Sequence, residues 1–271
     1  MSLEHVLKKA LGAAKKHVHA NLSMVREKTG DINPYGDETL LLDLQAENEI
    51  LKIVQQSSVG FSILTEEQGL ISCERNPEYL LVVDPVDGSA NLERGIPLVS
   101  AGISAIPYSN DLTTDEIEAS VIDSFFTDET YVAISGQGVR RNGKSVRVSD
   151  SRPHEQSIIS YDTKREWTDD FGQSSLRTLR AVHDMRRTAS NLLDLCWTAS
   201  GALDAMIDLR GELPIVHICG THMVKEAGGF VLHESGKTFR LPVEPDVSMS
   251  FVAASNEEFA RYLLSAFRSK S

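Results

Sequence analysis

Cysteine is scarce in this chain. Cys73, Cys196 and Cys219 stand far apart and odd in number, which excludes a disulfide framework and fits a reducing compartment. No apolar run approaches the ~20 residues that cross a bilayer, so a membrane span is excluded as well. Lys8, Lys9, Lys15 and Lys16 are spread along a helical pattern rather than placed ahead of an apolar leader core, and a cytoplasmic location is expected. Basic residues are outnumbered, 27 against 39 acids, for a net charge of −12. That balance argues against nucleic-acid and anionic-membrane surfaces, but not against a small anionic substrate, because a bound metal reverses the local field. No repeat or low-complexity stretch marks a solenoid or a linker. What remains is a chain of 271 residues, 41% hydrophobic and 24% charged, long enough to bury one large core or two packed lobes.

Apolar spacing predicts a helix over residues 3–28, a break between Gly30 and Gly36, and a second helix over 40–56. Short strands are expected at 61–64, 99–106, 119–122 and 130–134, with an Asn142-Gly143 turn between two more. Further expectations are a strand at 157–161, a buried helix over 190–205, a strand at 206–209, and a helix over 215–227 stopped by Gly228-Gly229. A boundary near Ser149–Pro153 divides the chain into an N-terminal α+β lobe, 1–149, and a C-terminal α/β lobe, 150–271.

The chemistry concentrates in Tyr79-Leu-Leu-Val-Val-Asp84-Pro85-Val86-Asp87-Gly88-Ser89-Ala-Asn91. An apolar β-branched run ends at Asp84, and Pro85 cannot donate to a ladder. Two carboxylates therefore stand at the carboxyl end of a buried strand, where open α/β sheets place ligands. Unpaired buried charge is expensive, so they require donors or a cation. Hard oxygen ligands favour Mg²⁺, Mn²⁺ or Ca²⁺ over zinc. In isolation the same residues also describe a solvated turn.

The wider pattern resembles the inositol monophosphatase family, including its archaeal-type members that also hydrolyse fructose 1,6-bisphosphate. Asp84-Pro-Val-Asp-Gly-Ser89 is similar to the family signature, Thr65-Glu66-Glu67 to its upstream acidic element, and Asp43-x-x-x-Glu47 to its helix. Gly138 to Val148, Ser190 to Ala205 and Lys225-Glu-Ala-Gly-Gly229 follow in the family's order. The resemblance implies a layered αβαβα sandwich of the inositol monophosphatase/fructose-bisphosphatase type and a homodimer. It implies Mg²⁺-dependent hydrolysis of a sugar or polyol phosphate, with two or three ions per site and Mn²⁺ as a substitute. Glu66, Asp84 and the Val86 carbonyl would hold one ion, and Asp84 with Asp87 a second. Ser89 and Asp43, with Glu66, would direct a water, while Gly88 and Ser89 N–H groups hold phosphate.

The chain departs from the family near its late metal-ligand Asp, where ungapped counting reaches Val216, which cannot ligate. His217 takes over only if the helix entry shifts by one residue. Asp208 is another acid at hand, although no spacing ties it to the site. On the substrate side Ser190 is retained, Ala189 replaces a Gly and Asn191 a small residue. Lys164, Arg165, Arg186 and Arg187 are sources of charge for a second phosphate. Two other readings follow: a catalytically impaired relative that binds a phosphorylated ligand, and a 3′-phosphoadenosine 5′-phosphate phosphatase.

Overall fold

The computed structural model describes residues 2–72, 76–163 and 168–269; Cys73, Lys164 and Arg165 lie outside them. The first helix, α1 (Leu3–Ala20), buries Val6, Leu7, Ala10, Leu11, Ala14 and Val18 on one stripe. It stops earlier than the apolar spacing predicts, because the Asn21 side-chain amide bonds the His17 carbonyl and ends the ladder. A small hairpin follows, β1 (Lys28–Ile32) with β2 (Glu38–Leu40), and then α2 (Leu41–Gln55).

The first large sheet is built from β3 (Phe61–Thr65), β4 (Gly69–Ile71), β5 (Tyr79–Asp87), β6 (Ser100–Pro107), β7 (Ala119–Ser124), β8 (Thr130–Ile134), β9 (Gly138–Arg141) and β10 (Lys144–Val146). The order across it is β10-β9-β8-β7-β6-β5-β3-β4, and β3–β5 is its parallel pair. A short helix, α3 (Ser89–Arg94), follows β5 directly. The second sheet, in the order β12-β11-β13-β15-β14, contains β11 (Ile158–Asp162), β12 (Asp184–Arg186), β13 (Ala205–Pro214), β14 (Phe230–His233) and β15 (Ser248–Ala254). Its helices are α4 (Asp169–Arg180), α5 (Asn191–Ala199), α6 (Ile218–Glu226) and α7 (Glu257–Arg268).

These elements form five layers. Helices α1 and α2 cover one face of the eight-stranded sheet, α5 and α6 lie between the two sheets, and α4 and α7 close the outer face of the second. Three apolar clusters fill the three kinds of interface, so the expected αβαβα sandwich is the fold. In the middle layer α6 meets α5 so closely that a Cβ on Gly220 would fall 2.3 Å from Leu195 Cδ1. The helix expected over 190–205 is shorter: Gly201, at φ +75°, turns the chain out, and Ala205 opens β13. The chain after Gly229 carries β14, β15 and α7, which the sequence pattern does not predict.

The middle layer also buries a histidine. His222 Nδ1 lies 2.8 Å from Ser120 Oγ, and Nε2 lies 3.9 Å from Glu226. Burial, aided by the Lys225 charge, pulls the ring down to about 4 from 6.5. The ring therefore stays neutral when folded, whereas an unfolded chain protonates it below 6.5, and stability is lost as pH falls from 6.5 toward 4. Urea unfolding at pH 7 and pH 5 should show the wild type losing about 2 kcal/mol more than His222→Gln over that interval; equal losses would refute this assignment.

Candidate active site

The site begins with a defect in β5. Asp84 pairs with Gly102 and Asp87 with Ser100, so Pro85 and Val86 together oppose Ala101 alone. In a regular strand residues three apart point to opposite faces; one extra residue reverses that parity and re-aims the chain. Pro85, lacking an N–H, occupies the bulge without loss. The strand thus continues past Asp84, where the sequence suggested an end, and delivers both carboxylates to one place. Asp84 Oδ1 accepts the Val86 N–H at 3.1 Å. Gly88 then turns at φ +102°, and a Cβ there would lie 2.9 Å from the Leu98 carbonyl oxygen, so only glycine makes this corner.

Asp87 is held from the start of α5. Its Oδ2 accepts Ser190 Oγ at 2.6 Å and Leu192 N–H at 2.7 Å, and its Oδ1 accepts Asn191 N–H at 3.1 Å. Ser100 Oγ adds a fourth donor at 3.3 Å. The carboxylate thus sits on the N-terminus of α5, where free N–H groups and the helix dipole favour an anion. Ser190, expected on the substrate side, has its hydroxyl taken up by Asp87 and is fully buried. Asn91 Nδ2 makes a second link to this segment, 2.7 Å from the carbonyls of Leu98 and Thr188. Ala189, standing where the family pattern has Gly, adopts φ +62°, a left-handed conformation that strains an L residue.

The sequence places Val216 at the late acidic position, and the structure buries it in the core. Residues Ile215–His217 form a single 3-10 turn before α6, and this tighter entry turns His217 into the site. His217 Nε2 lies 3.2 Å from Asp84 Oδ2 and 3.7 Å from Asp87 Oδ1, while Nδ1 lies 3.1 Å from the Pro214 carbonyl. Among the described residues, Asp84, Asp87 and His217 form a buried group whose ligand atoms all lie within 4.8 Å of one another. Asp208 does not join it. That residue is locked on Arg210, with Nε at 2.9 Å, and Arg210 also reaches Asp162 at 3.1 Å.

The electrostatics are those of crowded, buried acids with one imidazole among them. Burial first, and then the charges of Glu66 and Asp87, hold Asp84 well above the usual carboxylate range. Burial also raises Glu66, against the pull of His217, and raises Asp43, against its bond from Ser89. Burial opposes charge on His217, but Asp87 and Glu66 outweigh it and the ring is raised. Ser89 Oγ lies 2.5 Å from Asp43 Oδ2 and 3.1 Å from the Val86 carbonyl. Four buried atoms around this place have no hydrogen-bond partner: Asp43 Oδ1, Glu67 Oε2, Asp84 Oδ2 and the Tyr35 hydroxyl. Native proteins rarely leave such atoms orphaned, and a divalent cation answers the carboxylates among them; the donor set fits one.

The acids open into a cleft of about 760 Å³ lined by residues from both halves of the chain. One wall carries Tyr35, Asp43, Glu66, Glu67, Asp87, Gly88 and Ser89; the other carries Asp162, Arg187, Asn191, Arg210 and His217. Tyr35 was not foreseen, since an aromatic in an Asn-Pro-Tyr-Gly turn carries no chemical signal of its own. Glu47 accepts Thr65 Oγ1 at 3.0 Å and the Glu67 N–H at 3.1 Å, fixing the acidic turn after β3. The arginines considered for a second phosphate are already engaged: Arg187 with Asp162 at 2.7 Å and Arg186 with Asp184 at 2.6 Å.

Comparison with known proteins gives a consistent result. The inositol monophosphatase family profile matches residues 2–271. A fructose-1,6-bisphosphatase/inositol-1-monophosphatase from Methanothermobacter thermautotrophicus is 30% identical over 233 residues, covering 82% of this chain and 81% of its own. A bifunctional NADP phosphatase/NAD kinase from Methanococcus maripaludis is 30% identical over 250 residues, 86% of this chain but 43% of its own. A crystal structure of an inositol monophosphatase–fructose 1,6-bisphosphatase superposes with a TM-score of 0.85 at 26% identity, covering 98% of this chain and 100% of that one.

Repulsion among the acids implies a stability cost without metal. A carboxyl whose folded pKa is raised destabilises the fold increasingly as pH rises above its unfolded value. In excess chelator at pH 7.5, Asp84→Asn should therefore be more stable than wild type by about 1–3 kcal/mol. Thermal unfolding measures it, and a less stable variant would contradict the crowding.

Proposed function

Because this chain belongs to the inositol monophosphatase family and is a metal-dependent phosphatase, we propose that its cleft hydrolyses a sugar or polyol phosphomonoester. Inositol 1-phosphate and fructose 1,6-bisphosphate are the named candidates. The observation that carries this reading is the orphaned, buried Asp84 oxygen beside Asp87 and His217, next to the Ser89–Asp43 pair. Glu66, Asp84 and the Val86 carbonyl would hold one divalent ion of the Mg²⁺/Mn²⁺ class, and Asp84, Asp87 and His217 a second. When bound, such ions neutralise the phosphate, stabilise the departing oxygen and acidify a water.

The chain's own groups do the rest. The Gly88 corner lets backbone approach the phosphate closely. Ser89 carries a single hydroxyl proton, and Asp43 accepts it, which leaves the Ser89 lone pairs to receive a proton from the attacking water. Burial raises the basicity of Asp43, suiting it to end that relay. Attack is direct and in line with the ester oxygen, and no enzyme group is phosphorylated. The Tyr35 phenol, pushed up by burial and by the charges of Glu66 and Asp84, stays protonated as a donor at the cleft wall.

The far wall favours hydroxyl groups over a base. Asp162, Arg187 and Arg210 place acceptors beside donors there, with Asp208 bringing two acids against the two arginines, and Tyr35 is the one aromatic besides His217 among the described lining residues. A flat nucleobase finds little to stack on, which favours a polyol over 3′-phosphoadenosine 5′-phosphate. His217, beside Asp84 and Asp87, supports an active enzyme over an impaired relative, since it would fill the late ligand position from one residue further on. No helix is long and apolar enough to cross a membrane. Cytoplasmic work as a homodimer, without a nucleic-acid partner, completes the proposal, supported by the family resemblance and the charge of −12.

Phosphate release from inositol 1-phosphate, fructose 1,6-bisphosphate and 3′-phosphoadenosine 5′-phosphate tests it. We expect turnover of at least one of the first two, abolished by chelator. Ser89→Ala and Asp43→Asn should each lower kcat by roughly 10²–10⁴ with KM changed only a few-fold. Release from the nucleotide alone, or from none of the three, would overturn the assignment.

A further inference from the structure

We propose that His217 donates Nε2 directly to one cation of this cleft and thereby makes that position select Mn²⁺ over Mg²⁺. The inference rests on the metal-dependent reading above and concerns which ion this particular chain takes.

The geometry begins at the other ring nitrogen. Nδ1 lies 3.1 Å from the Pro214 carbonyl, and a carbonyl only accepts, so Nδ1 bears the proton. In the neutral ring Nε2 then presents a lone pair. It points into the space where Asp84 Oδ2 stands 3.2 Å away and Asp87 Oδ1 3.7 Å away. Three electron-rich atoms facing one another repel unless a proton or a cation lies among them. Asp84 Oδ2 is buried and has no hydrogen-bond partner despite that approach, so the contact is not already satisfied as an Asp–His hydrogen bond. The carbonyl that fixes the ring belongs to the residue preceding the 3-10 turn, so ring orientation is set by backbone, the arrangement that holds a ligating imidazole in one tautomer.

The donor set decides the ion. Mg²⁺ demands a small octahedral shell and prefers oxygen, whereas imidazole binds first-row transition ions more strongly. A neutral ring in place of a carboxylate also removes one negative charge, which weakens a purely electrostatic ion most. Mn²⁺ keeps affinity for the carboxylates of Asp84 and Asp87 and accepts the nitrogen as well.

The test is spectroscopic and needs no turnover. Mn²⁺ is added to metal-stripped protein, and pulsed electron paramagnetic resonance reads coupling to directly bound nitrogen. We expect ¹⁴N modulation in the wild type that changes to the ¹⁵N pattern when the histidines alone are ¹⁵N-labelled, and that disappears in His217→Asp. Competition of Mg²⁺ against bound Mn²⁺ should show the Mn²⁺/Mg²⁺ affinity ratio falling by on the order of tenfold in His217→Asp. Wild-type Mn²⁺ without histidine nitrogen coupling, or an unchanged ratio in the variant, overturns the proposal. The labelling arm stands on the wild type alone if the variant does not fold. Nitrogen coupling in a protein that releases no phosphate would sink the phosphatase reading and leave this one intact; phosphate release without coupling would do the reverse.

Discussion

Carboxylates that repel one another in a buried place are the constraint on which this structure turns. Asp84 is fully buried with one oxygen unsatisfied, Glu66 and Asp87 crowd it, and Asp43 is buried a few ångströms beyond Ser89. Such an arrangement persists only because the surroundings over-determine it. The bulge in β5 fixes where the carboxylates point, the N-terminus of α5 holds Asp87 through three backbone and hydroxyl donors, and Glu47 fixes the turn that carries Glu66 and Glu67. The five-layer sandwich is the rigid frame for these supports, since β5, α5 and the entry to α6 all converge at the cleft.

Much of this was legible from residue order, for identifiable reasons. The strands β3, β6, β7 and β8 are apolar and β-branched stretches broken only by small or polar residues, and α1 and α2 carry plain helical periodicity, so their existence follows from patterning. The pairing of Asp84 with Asp87 followed from the Asp-Pro-Val-Asp-Gly-Ser run. What did not follow are features decided by tertiary geometry. The bulge at Pro85 depends on register against β6, which no local pattern encodes. The use of Ser190 as a donor to Asp87 depends on how α5 docks. Val216 against His217 depends on whether Ile215–His217 opens as 3-10 or α, a difference of one residue in rotation that tertiary packing sets. Tyr35 is brought to the acids by a hairpin whose sequence signals only a turn. Asp208, an acid at a plausible distance in sequence, is instead consumed by Arg210.

The two large sheets and their flanking elements contribute unlike things. The N-terminal elements supply most of the acids and the tight corner at Gly88, the parts suited to phosphate and cation. The C-terminal elements supply the helix terminus under Asp87, the imidazole of His217 and a wall of balanced Asp–Arg pairs. A division of that kind leaves the acidic corner independent of the residues that face it.

A crystal structure of the protein grown with Mn²⁺ and inorganic phosphate, with anomalous data collected at the manganese edge, tests this account most directly. The account predicts anomalous density between Asp84 and Asp87 within bonding distance of His217 Nε2, and a phosphate at the Gly88–Ser89 corner beside Ser89 and Asp43. Manganese bound elsewhere, or at the acids with His217 turned away and no phosphate at that corner, would contradict it.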